Sequence, residues 1–139
     1  FVGALNLARS EAVRRSHGVS IRSSGGTIDY ASGWKVFKDA DQDGADPTTA
    51  SDVLRESNGV SGKITVTRVT RTGAHCTGTY ADATGGDPFV VFNSRGGNDA
   101  GGPAFFRICD AGNSSVKGRI VQVGTVGKVS LDCATVTCP

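Results

Sequence analysis

FVGALNLARSEAVRRSHG, residues 1–18, is the stretch whose reading decides the fold. Phe1, Leu5, Ala8 and Ala12 recur at helical spacing, with Val2 and Val13 flanking the same side, so the segment predicts a helix over residues 1–17. Gly18 is a natural stop, and Arg14, Arg15 and His17 put positive charge in the last turn, where it suits the helix dipole. The pattern is already helical at Phe1, and no residue ahead of it caps the first turn. The reading therefore expects a helix that began upstream.

Beyond Gly18 the period becomes extended. Short apolar or β-branched runs separated by glycine, asparagine and aspartate predict strands at Val19–Ser23, Trp34–Phe37, Lys63–Thr70, Phe89–Phe92, Ala104–Cys109, Arg119–Val123 and Lys128–Leu131. Ser51–Glu56 fits either a strand or a brief helical turn. Asp39–Ala50 and Asn93–Pro103 read as a polar loop and a glycine-rich loop. One helix followed by antiparallel strands is an α+β layout, with residues 18–139 the β-rich part. A chain of 139 residues with 37% hydrophobic and 20% charged residues suits one globular domain over 1–139. A formal charge of +2 is too mild to mark a nucleic-acid binder by itself. No apolar run approaches the ~20 residues that cross a bilayer, and no secretory leader stands at the front.

The chemistry-bearing residues are few. DADQDG, Asp39–Gly44, opens like a calcium loop, but its twelfth position is Ala50, where a bidentate carboxylate closes such a site; an ordinary turn is the reading. Nothing in the sequence places His17 or His75 beside a plausible nucleophile together with an orienting carboxylate, and both read as structural or solvated. Trp34 reads as a core anchor. Arg68, Arg71, Lys117, Arg119 and Lys128 could neutralise phosphates, although aromatic residues to stack on bases are sparse and a solvated sheet face is the favoured alternative. No catalytic residue, metal ligand or cofactor is expected.

Cys76, Cys109, Cys133 and Cys138 are even in number and lack the spacing of a zinc or redox motif, which points to disulfides and an oxidising compartment. Three pairings exist. The short loop between Cys133 and Cys138 points to that pair, leaving Cys76 with Cys109. An exported protein with no export segment suggests a chain trimmed at its front.

Three landmarks, in order, resemble the FimT/GspH family of type IV minor pilins and type II secretion pseudopilins. They are LNLARSEAVRRS at Leu5–Ser16, GWKVFKDADQDG at Gly33–Gly44, and the succession FFRICDAG, GRIVQV, TVGKVSL and Cys133. The resemblance implies a pilin-like fold and a structural role in a type IV pilus or its priming tip, or alternatively in a secretion pseudopilus. It implies other minor and major pilins as partners, and the inner membrane through an apolar half-helix ahead of Phe1. It also implies an inner-membrane and periplasmic location before assembly, and a pilus afterwards, in a Gram-negative bacterium. Phe1, Leu5, Ala8 and Ala12 then belong to the assembly helix, facing either their own sheet or the filament axis. FimT proteins carry a C-terminal Gly-Arg-x-Arg motif associated with DNA uptake. Here the aligned residues are Gly127, Lys128, Val129 and Ser130, which keep one charge of two. Double-stranded DNA is the further partner this implies, with Lys117, Arg119 and Lys128 as its contacts.

Overall fold

The computed structural model describes residues 1–60, 62–84, 87–99, 101–113 and 115–139. Helix α1 (Val2–Arg15) is followed by β1 (Val19–Ser23), β2 (Trp34–Lys38), a 3-10 turn (Ala50–Asp52), β3 (Val53–Ser57) and β4 (Ile64–Thr72). Then come β5 (Thr79–Asp82), β6 (Phe89–Phe92), β7 (Ala104–Asp110), β8 (Gly118–Val123) and β9 (Val129–Val136). The strands form two antiparallel sheets, one in the order β3-β2-β1-β6 and the other β5-β4-β7-β8-β9. The expected α+β layout of one helix on antiparallel sheets is what the chain adopts. Ser51–Glu56 does both things its sequence allows, a helical turn and then a strand.

The helix buries Ala4, Leu5, Ala8 and Ala12, the last three with no exposed surface. Their spacing places them on one stripe, and the alanines let the helix approach the sheets closely. Removing Leu5 from water contributes about 1.5–3 kcal/mol. The stripe meets Val19, Ile21, Val36, Val90 and Phe92 from the first sheet and Val66, Phe106, Val121 and Val123 from the second. Phe1 is half-buried, with its ring edge-on to Tyr30, Trp34 and Phe106 at 4.8–5.4 Å between centroids. Trp34 is accordingly a core residue. Val2 and Val13, expected on the inward side, are 38% and 50% exposed. The 100° step per residue carries both off the stripe that Ala4 completes.

The helix stops earlier than Gly18. Ser16 takes the left-handed conformation at φ 57°, and its N–H bonds to the Val13 carbonyl at 3.2 Å. Gly18 serves packing: a Cβ there would sit 2.1 Å from the Asp39 carbonyl oxygen.

Alternation along β4, β7 and β8 splits the second sheet between two cores. Val66, Phe106 and Val121 face the helix, while Val69, Phe105 and Ile120 form a second cluster with Tyr80 and Val136. This second cluster exists because the sheet curls. β5 and β9 are its outer strands, yet the Tyr80 hydroxyl on β5 donates to the Asp132 carboxylate on β9 at 2.7 Å. Accumulated strand twist brings the edges round, and a register shift between Arg119 and Val121 marks an irregularity in the β8–β9 pairing.

The same curl overturns the expected cystines. The bonds are Cys76–Cys133 and Cys109–Cys138. Cys133 lies inside β9, which runs extended through Val136. By Val136 the chain is already about 10 Å away, past the ~7 Å reach of a disulfide between Cα atoms, so short sequence separation does not bring Cys138 back. β5 and the last part of β9 went unread in the sequence. Both are edge segments with polar residues, ordered by pairing more than by their own apolar pattern.

Candidate functional site

Three surfaces hold the residues that carry possible function. The first is the outward face of α1, where Val2, Gly3, Asn6, Ser10 and Val13 are exposed. Asn6, Arg9, Ser10, Val13 and Arg14 line an open groove there. Of the residues expected on an assembly helix, Leu5, Ala8 and Ala12 have no exposed surface and Phe1 is half-buried, so all four pack on the chain's own sheets. Asn6 and Ser10 escaped the sequence reading because polar residues opposite an apolar stripe look like ordinary solvent-facing positions. At the far end of the helix Glu11 accepts from both Arg14 and Arg15 at 2.6 Å. Those two bonds, Arg14 first, hold its carboxyl down at about 2.

The second surface surrounds Gly127. This residue has φ +74°, and a Cβ on it would lie 1.7 Å from the Gly96 carbonyl oxygen. The turn between β8 and β9 therefore rests directly on the 93–97 loop. Arg9 fastens the contact from the helix: its Nε donates to Gly96 at 3.1 Å and its Nη2 reaches the Val126 carbonyl at 3.5 Å. Lys128 and Arg95 flank this contact and are exposed. Lys117 and Arg119 are exposed at the opposite end of β8, a six-residue strand whose length, with one residue beyond each end, separates Lys117 from Lys128 by roughly 20 Å. The expected trio is thus divided between two ends of one hairpin. Among the described residues none of the three joins an ion pair. Arg68 and Arg71 are committed elsewhere: the first bonds the Phe89 carbonyl, and the second stacks on Phe105 at 4.6 Å.

The third surface is the closure of the second sheet. Asp132 has a fully buried side chain. Its carboxylate accepts from the Tyr80 hydroxyl at 2.7 Å and the Ala134 N–H at 3.0 Å, with Arg71 at 3.5 Å. Burial pushes its pKa up, but the Ala134, Tyr80 and His75 contacts together outweigh this and leave it below the ordinary carboxylate value. His75 puts Nδ1 3.2 Å from Asp132 and Nε2 3.6 Å from the Cys133 sulfur. Cys76 follows His75 directly in the chain, but Asp132 and Cys133 lie 57 and 58 residues away, and only the curl brings them to the imidazole.

The DADQDG turn organises itself. Asp39 is buried and accepts from the Ser20 hydroxyl and from the Gly44 N–H at 3.0 Å. Burial is the main influence on its carboxyl and raises it. No described helix is long and apolar enough to cross a membrane.

With this architecture laid out, its likenesses are informative. Over 94% of this chain and 85% of the other, it superposes on the type IV minor pilin FimU of Pseudomonas aeruginosa with TM-score 0.65 at 20% identity. A second crystal form of FimU gives 0.66, also at 20% identity, over 94% and 81% of the two chains. The minor pseudopilin EpsH from the type 2 secretion system of Vibrio cholerae matches with TM-score 0.57 at 14% identity, over 94% and 89%. No curated protein matches the sequence. These structures share the fold, and the sequence itself matches the family described as type II transport protein GspH over residues 1–127. The chain therefore belongs to the GspH family of pilin-like structural subunits, as a minor pilin or pseudopilin of the GspH/FimT type.

Proposed function

We propose that the chain is a structural subunit of a type IV pilus, docking through the outward face of α1 into the filament or its priming tip, with both sheets turned away from the filament axis. The observation that carries this is the division of α1 into two faces. Leu5, Ala8 and Ala12 are used up inside the domain, which leaves Val2, Gly3, Asn6, Ser10 and Val13 as the face open to another subunit. Gly3, Asn6 and Ser10 are short, so a neighbouring helix can approach closely, with Val2 and Val13 as the apolar contacts. The partners in this reading are other minor and major pilins, and the inner membrane before assembly. No bond-making step is required.

The test is co-capture of other pilins from detergent-solubilised membranes by the full-length protein. Asn6→Arg combined with Val13→Asp should abolish capture and leave the circular dichroism unchanged; undiminished capture by that variant sinks the reading. A secretion pseudopilin would use the same helix face in different company, so the identity of the captured subunits separates the two.

A second reading, DNA binding at the pilus tip, is supported by the Gly127 contact, which sets Lys128 beside the loop carrying Arg95 above Arg9. Phosphate binding by such residues weakens steeply with salt. In a gel-shift series against salt with double-stranded DNA, Lys128→Ala should lose most of the low-salt affinity. Negligible binding of the wild type at low salt removes this reading.

A further inference from the structure

The two cystines differ in their surroundings. Cys109 and Cys138 are 2% and 7% exposed, whereas Cys76 and Cys133 both lie at the surface. Only the exposed pair has an imidazole beside it, and that imidazole is oriented. Asp132, held as a carboxylate among Tyr80, Ala134 and Arg71, can only accept, so His75 must donate from Nδ1. This turns Nε2 toward Cys133, 3.6 Å away. Ligand atoms of His75, Cys76, Asp132 and Cys133 all lie within 4.8 Å of one another. With the sulfurs bonded to each other they present no thiolate to a metal ion, and the chemistry open to the group is that of a disulfide.

We propose that Cys76–Cys133 is an exchange-active disulfide, opened by the thiolate of a thiol-bearing peptide or protein at Cys76, with Cys133 as the leaving sulfur and His75 as its proton donor. The incoming thiolate forms a bond to Cys76 Sγ. The electron pair of the old S–S bond goes to Cys133 Sγ, and the imidazolium N–H at Nε2 stabilises or protonates it. The product is a mixed disulfide on Cys76 and a free Cys133; no further oxidant or reductant is consumed. Exchange is faster when the departing sulfur is the better-stabilised thiolate, which makes Cys76 the sulfur attacked. His75 acts with Asp132 as a positioned acid, the relation that orients a histidine toward sulfur in cysteine enzymes. Asp132 from β9 faces the imidazole, and Tyr80 from β5 and Arg71 from β4 share its carboxylate.

The experiment exposes the native, oxidised chain to millimolar glutathione, quenches with an alkylating agent and maps each cysteine by peptide mass spectrometry. Glutathione should be found on Cys76 and alkyl label on Cys133, at least about tenfold sooner than any reaction at Cys109 or Cys138, which serve as the internal reference. His75→Gln, at a largely exposed position, should keep the disulfide and slow its opening by roughly tenfold. The slowing should be confined to the exposed cystine, with Cys109 and Cys138 reacting in His75→Gln as they do in the wild type. Glutathione on Cys133, equal opening of both cystines, or a His75→Gln rate matching the wild type each overturns the proposal. In the last case exposure alone would account for the reactivity.

Discussion

Tyr80 donates its hydroxyl to Asp132 across 2.7 Å, joining strands that stand at opposite edges of one five-stranded sheet. Hydrogen bonds to a buried charged group are worth about 1.5–3 kcal/mol, and here the bond also holds a curled sheet closed. Tyr80→Phe should lower stability by that amount in a urea titration without changing secondary structure. The phenyl ring still packs on Phe105, whose centroid is 5.9 Å away, so a loss well beyond this range would mean that the ring contact had failed as well.

Arg9 ties the helix to both the 93–97 loop and the β8–β9 turn. Arg9→Met keeps much of the side-chain volume and removes both donors, at a cost of about 1 kcal/mol. Hydrogen exchange should rise selectively at Asn98 and Gly127, whose amides bond Thr125 and Gly124 within the docked region. Exchange that rises uniformly through the sheets would contradict this local role.

Gly127 and Gly101 share nearly the same backbone angle, φ +74° and +71°, but not the same space. A Cβ on Gly127 runs into the Gly96 carbonyl, while among the described residues beyond its chain neighbours no atom lies within 4 Å of one on Gly101. Gly101→Ala should cost only the left-handed conformation, about 1 kcal/mol, and Gly127→Ala on the order of 3 kcal/mol because the turn must lift from the loop. Equal melting temperatures for the two variants would show that the loop contact contributes nothing.

Acid should weaken the fold in a defined interval. Glu11 and Asp132 have folded values below their ordinary 4.5 and 3.8, so their stabilisation is full above those values and is lost as pH falls through the folded ones. For Glu11 that places the loss between 4.5 and about 2. Asp39, raised chiefly by burial, acts with the opposite sign above 3.8. The urea midpoint should fall on acidification below pH 4.5, and the fall should be shallower in Glu11→Gln, whose carboxylate lies at the surface, partly covered by Arg14 and Arg15, where salt still screens it. An unchanged slope in that variant would remove Glu11 from the account.

Much of the architecture was legible along the chain. The 3.6-residue recurrence of Leu5, Ala8 and Ala12 gave the helix, and apolar or β-branched runs between turn residues gave seven of the nine strands, six close to their observed limits and β9 in its opening part alone. These signals are local: a few residues decide whether one face can be apolar. The family landmarks were local too, each a short run in a fixed order, and residues 1–127 carry the family match.

What the tertiary structure decided is everything that depends on the curl of the second sheet and the docking of the helix. Cys76 with Cys133, Cys109 with Cys138, and His75 between Asp132 and a sulfur are contacts across 29 to 58 residues. Which face of α1 remains open was likewise settled by burial against both sheets. Hydrophobic periodicity records what each segment must hide, but not which distant segment hides it, because twist accumulates over five strands and no single strand encodes the sum.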